Sequence, residues 1–168
     1  MNAILQHDGN RHTLRFERWL DHPREKAWRA ITDKREVPHW FPAEIHGARE
    51  EGARLRFVFP NEEGPPTDGH MLVFDPPRTM EFDWNREILR FELEERDGGT
   101  SLVFTHTFAD VAKSARDASG WTVCLDALEK RLDGEEAEQF TPERFDALFA
   151  DYAAKFGPEA SAKREPEA

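Results

Sequence analysis

The sequence predicts an α+β domain in which an antiparallel sheet lies against one long amphipathic helix. Three observations predict it. Ser119–Gly134 reads SGWTVCLDALEKRLDG, with Trp121, Cys124, Leu125, Leu128 and Leu132 at helical spacing and Thr122, Asp126, Glu129, Lys130 and Asp133 mostly on the other side. Ahead of it come strand-like segments that alternate apolar and polar residues, so each has one wet face and one that needs cover. The aromatic content is also skewed: thirteen Phe and five Trp stand against one Tyr, which is apolar bulk with few hydroxyl groups. Each large side chain of the helical stripe gains roughly 1.5–3 kcal/mol on full burial, so the stripe belongs on the covered sheet face.

Residues 1–10 read as a flexible terminus. Arg11–Leu20 alternates, with Leu14 and Phe16 on one face and Arg15 and Glu17 on the other, as in a half-buried strand. Asp21-His22-Pro23 opens a helix, with Pro23 in the first turn where its missing N–H costs nothing, and Trp28 and Ile31 anchor its buried side. A second short helix over about residues 33–37 ends before Pro38, and His39-Trp40-Phe41-Pro42 leaves it as a bulky corner. Residues 43–108 then run strand after strand, broken by turn chemistry at Glu50-Glu51-Gly52, Pro60–Gly69, Asp75-Pro76-Pro77, Asn85 and Asp97-Gly98-Gly99. Leu55, Phe57 and Phe59 share one side, as do Met80, Phe82 and Trp84, then Leu89, Phe91 and Leu93, then Leu102, Phe104 and His106. Met71–Phe74 is apolar throughout, which leaves its inward face open.

The long helix has a small-residue first half (Ala109, Ala112, Ala115, Ala118, Ser119, Gly120), and Ser114 with Asp117 fits a capping box that starts it near Ser114. Gly134 stops it. Residues 11–134 thus form the domain. Residues 135–157 hold an acidic linker and an appended helix, opened by Thr141-Pro142-Glu143 and carrying Phe145, Leu148, Phe149 and Tyr152 on a stripe. This helix could cover its own domain or pair two copies in a homodimer. Residues 158–168 are charged, alanine-rich and expected to be disordered.

Composition excludes several function classes. A net charge of −11 over 168 residues disfavours nucleic acid and anionic membrane as partners, since both reward clustered Lys and Arg. The sole cysteine, Cys124, rules out an intramolecular disulfide and a cysteine-rich zinc site and suits a reducing compartment. The N-terminus has no basic start followed by an apolar core, and no apolar run approaches the roughly 18 residues of a membrane span, so the expectation is a cytoplasmic protein.

Local strings carry a family resemblance: HPREKAWRAIT, the HWFP corner, DGHMLVFDPPRTMEFDW, GGTSLVFTHTF and GWTVCLDALEKRLDG, in that order over roughly residues 11–134. Together they resemble the START-like helix-grip (SRPBCC) superfamily, and within it the Aha-like branch related to the activator of Hsp90 ATPase. FDALFADYAAKFGP looks like an appendage of some bacterial members. The resemblance implies a curved antiparallel sheet gripping the last long helix, with a cavity between them that in many relatives takes an apolar small molecule. The superfamily also contains cyclases, hydrolases, lipid carriers and chaperone regulators, so the fold does not fix the activity.

The first expectation is therefore binding of an apolar, aromatic or lipid-like small molecule without catalysis or cofactor. Trp40, Phe41, Phe57, Phe59, Phe82 and Trp84 are candidate lining residues, as are Phe91, Phe104 and Trp121. His106, Cys124 and Leu125 join them as orienting or stripe residues, and for each ring plain core packing is the equal alternative. A chaperone regulator acting on an Hsp90-type partner is the second reading, and a cyclase- or hydrolase-type enzyme using His106 is the third. His106 is more readily a satisfied histidine near a strand end than a catalytic base, and Cys124 more readily a core thiol than a nucleophile. His39, His46 and Glu44 match no metal-ligand spacing, and His12, His22 and His70 add no cluster, so no metal is expected. No GxSxG, P-loop or dinucleotide fingerprint occurs.

Overall fold

The computed structural model describes residues 3–60 and 64–164. Eight strands form one antiparallel sheet: β1 (Ile4–Asp8), β2 (Arg11–Leu20), β3 (Glu44–His46), β4 (Arg54–Val58), β5 (Thr67–Asp75), β6 (Thr79–Trp84), β7 (Glu87–Arg96) and β8 (Gly99–Phe108). Their order across the sheet is β1-β2-β8-β7-β6-β5-β4-β3. Helix α1 (Arg24–Thr32) and a 3-10 turn at Val37–His39 sit between β2 and β3; α2 (Ser114–Leu132) and α3 (Pro142–Phe156) follow the sheet.

The face assignments hold because strand parity is a local property of the pleat. Phe57, Phe82, Phe91 and Phe104 are each 0% exposed on the face that α2 covers, and Leu125 and Leu128 of α2 are buried against them. Met71 is the inward residue of the ambiguous apolar run and Leu72 points to solvent by ordinary alternation; beyond them the register slips between Met71 and Val73, and Val73 and Phe74 are both half-buried.

Five features differ from the sequence expectation. The segment expected to be a flexible terminus forms β1, paired along its whole length with β2. Its side chains are mostly exposed, so it carries no alternation to read, and it is tied at its start by the Ala3 N–H donating to Tyr152 Oη (3.2 Å) and Lys155 Nζ donating to Ala3 O (2.7 Å). The second short helix is the 3-10 turn at Val37–His39, a few residues later than expected. Helix α2 does start at Ser114, yet without a capping box: Ser114 Oγ donates back to Val111 O (2.7 Å) and Asp110 caps the preceding turn through the Ala112 N–H. Thr122, expected on the wet side of α2, is buried because α3 packs there, in cis, and its hydroxyl meets Tyr152 Oη at 2.7 Å. The expected disordered tail is docked as far as Arg164, with a turn at Pro158–Ala160 and the Lys163 N–H on Ala112 O (2.9 Å); its last four residues lie outside the described residues.

Candidate functional site

The strands deliver a continuous row of rings. Phe16, Phe104, Phe91, Phe82 and Phe57, one from each of five strands, follow one another with centroid separations of 5.9, 4.8, 6.3 and 5.5 Å. The HWFP corner drops onto this row from the other side. Phe41 meets Phe82, Trp84 and Trp121 at 6.1, 5.2 and 5.7 Å, so one ring bridges sheet and helix. Trp40 packs edge-on to Phe91 and is pinned by its indole N–H on Ala30 O (2.8 Å). Trp84 and Phe59, 5.6 Å apart, are the half-buried outer end of the cluster.

The predicted rings are thus brought together, with Leu125 beneath them, and they are in contact with one another. Three open surface clefts, of about 420, 890 and 200 Å³, lie elsewhere, and none is lined by a predicted ring. Cys124 packs on the flank of the core, and burial pushes its thiol up to about 12, so it stays protonated and is no nucleophile at neutral pH.

His106 closes the row where β8 meets the start of α2. The Trp121 indole N–H, which can only donate, sits 2.9 Å from His106 Nδ1. That contact makes Nδ1 the acceptor and puts the proton on Nε2, which donates to Glu87 Oε1 at 2.7 Å. Glu87 also accepts from Lys113 Nζ (2.6 Å), and Lys113 reaches Asp117 one helical turn on (3.0 Å). Burial pushes the Glu87 carboxyl upward, but the hydrogen bonds from His106 and Lys113 outweigh it and hold the group below its usual value. His106, Glu87 and Asp117 each offer a ligand atom within 4.8 Å of the others. In this tautomer, however, Nε2 has no lone pair to give a metal, and the Lys113 ammonium already stands between the two carboxylates. The arrangement is a satisfied polar network that fixes Trp121 in the ring cluster.

Glu87 escaped the sequence reading, although a signal was there. It shares parity with Leu89, Phe91 and Leu93, and Asn85 and Arg86, both in left-handed conformation (φ 48° and 69°), form the two-residue hairpin that starts β7 at Glu87. Arg18 was missed in the same way. It follows Leu14 and Phe16 on the inward side of β2, is 7% exposed, and donates to Asp126 (2.7 Å) and Glu129 (2.9 Å) of α2. Those two residues, expected to be solvated, are the helix half of a clamp between sheet and helix.

A family model described as activator of Hsp90 ATPase homolog 1-like protein matches residues 21–133, about two thirds of the chain. The chain belongs to that family. The Aha-like match starts just after β2, at the turn before α1, and ends just past the last turn of α2, so it leaves out β1, β2 and α3. Solved structures share the fold over nearly the whole length. The conserved protein EF2215 of Enterococcus faecalis, of unknown function, is 20% identical, with 92% of this chain and 90% of that one covered and a TM-score of 0.73. CalU16 of Micromonospora echinospora is 22% identical (90% and 94% covered, TM-score 0.70), and the protein encoded by BPP1335 of Bordetella parapertussis is 26% identical (88% and 86%, TM-score 0.67). A comparison with curated proteins finds no match.

Proposed function

We propose that this Aha-like chain binds an apolar, ring-bearing small molecule between the sheet and α2, in the space that Phe41 now closes. The observation that carries the reading is the position of Phe41: a single ring on irregular backbone bridges Phe82 and Trp84 of the sheet to Trp121 of the helix. Trp40 beside it is held by a side-chain hydrogen bond, whereas the Phe41 side chain is held by apolar packing, ring contacts among it. A guest that replaces those ring contacts, edge-on to Phe82 and Trp84 and tilted to Trp121, with its own aromatic faces recovers the roughly 0.5–1.5 kcal/mol each of them is worth. His106 supplies less support for a catalytic role, because both its ring nitrogens are engaged.

Native mass spectrometry and thermal shift against flavonoids and aromatic polyketides, with fatty acids as the ringless comparison, test the proposal. A stabilising compound should bind more tightly to Phe41→Ala, where no ring has to be displaced, and should change Trp121 emission. No bound compound in either form overturns it. The family match supports a second reading, regulation of an Hsp90-type chaperone. Pull-down with the host's Hsp90 homologue and an ATPase assay test that, and absence of both binding and stimulation removes it.

A further inference from the structure

The cleft of about 890 Å³ lies on the outside of the molecule, between the C-terminal end of α1, the 3-10 turn and β3. Its charge runs against that of the protein. Arg29, Lys34, Arg35 and Arg49 line it with the carboxylates Asp33 and Glu44, four positive charges against two negative, on a chain whose net charge is −11. The carboxylates are answered locally, Asp33 by Arg35 (3.1 Å) and Glu44 by His46 (2.9 Å). Among the described residues, Arg29, Lys34 and Arg49 have no carboxylate within ion-pair distance.

Arg49 is built in. Its guanidinium donates from Nε to Thr32 O (2.7 Å), from Nη1 to Gly47 O (3.0 Å) and from Nη2 to Ile45 O (3.0 Å). Three of its five N–H groups are used on carbonyls, which fix its plane, and two are left without a protein acceptor among the described residues. The contact with Thr32 O also covers part of the carbonyl end of α1, which would otherwise repel an anion. Burial lowers the pKa of Arg49, with Asp33 acting in the opposite direction, as expected of a cation that has lost water without gaining a counter-charge.

We infer that this cleft is a binding site for a small, multiply charged anion of the phosphate-ester or polycarboxylate type, gripped by Arg49 and met by Arg29 and Lys34. The planar fork of Arg49 suits two oxygens of one such group, and the flanking side chains supply the remaining charge. The site stands apart from the ring cluster and does not depend on the function proposed for it.

Isothermal titration of the whole chain with pyrophosphate and, separately, with citrate tests the inference at low salt. Binding of at least one anion is expected, weakening as salt rises. Arg29→Ala and Lys34→Ala, both at exposed positions, should each weaken it about tenfold, as for loss of one charge-assisted contact, with thermal stability unchanged. Arg49→Lys keeps the charge and loses the fork, and should weaken binding by at least as much. Failure of both anions to bind overturns the inference, as does binding that Arg29→Ala and Lys34→Ala leave intact. Cosedimentation with phosphatidylglycerol vesicles without binding of either free anion would assign the cleft to a membrane surface and overturn it too.

Discussion

His106→Ala offers the most direct check of the polar network at the end of the ring row. Removing the imidazole leaves the Trp121 indole N–H, now 2.9 Å from Nδ1, without an acceptor inside the protein, a loss of about 1–3 kcal/mol. The space vacated by a side chain that is 2% exposed adds on the order of 1–2 kcal/mol, since the surrounding Phe104, Phe108 and Trp121 cannot fully collapse into it. Glu87 keeps Lys113 and loses only one of its two donors. The total is about 2–5 kcal/mol, read as a shift of the urea midpoint and as a fall in melting temperature of roughly 5–20 °C for a domain of this size. Trp121→Phe removes the donor instead of the acceptor and should cost about 1–2 kcal/mol. In the double variant no donor is orphaned, so the pair should cost less than the sum of the singles by about 1–2 kcal/mol. Strict additivity, or a His106→Ala cost below about 1 kcal/mol, would refute the hydrogen bond from Trp121 and with it the assigned tautomer.

Arg18→Ala should destabilise by about 1–3 kcal/mol in urea unfolding and Arg18→Met by less, because Asp126 and Glu129 are about one-third exposed and can rehydrate once the guanidinium is gone; an Ala variant as stable as wild type would remove the clamp. Tyr152→Phe deletes the hydroxyl shared by Thr122 and the Ala3 N–H, and should cost about 1 kcal/mol while speeding amide exchange in β1; unchanged exchange there would show that β1 is held by other contacts. With its thiol at about 12, Cys124 is thiolate in only about one molecule in 10⁴ at pH 8, so native protein should react with a thiol reagent roughly 10³-fold more slowly than urea-unfolded protein. The Glu87 carboxyl is held below its ordinary value in the folded protein, so its contribution to stability is complete above the usual carboxylate range and is lost as pH falls through the folded value. Wild type and Glu87→Gln should therefore differ most near neutral pH and converge in acid, and a constant gap across an acid titration of the midpoint would contradict that.

Most of the ring cluster was legible because strand parity and helical spacing are local. Phe57, Phe82, Phe91 and Phe104 sit on the face their alternation assigns, and Trp121, Leu125 and Leu128 meet them from α2. Glu87 and Arg18 were legible by the same rule but carry charge, and a charged residue at an inward position reads as an exception until its partner is known. Those partners, Lys113 beside Glu87 and Asp126 and Glu129 beside Arg18, lie 26, 108 and 111 residues away in sequence.

By itself the sequence determined the α+β class, the succession of the main strands and helices from Arg11 to α3, the covered face of the strands that alternate cleanly and the family, because all of these follow from short-range periodicity and ordered local strings. Only the tertiary structure decided that the first residues join the sheet, that α3 lies on its own domain and buries Thr122, and that Phe41 fills the gap between sheet and helix. The physical reason is that backbone pairing at an edge needs no side-chain pattern, and the filling of a gap is set by the volumes and approach of elements far apart in the chain, which no local spacing encodes.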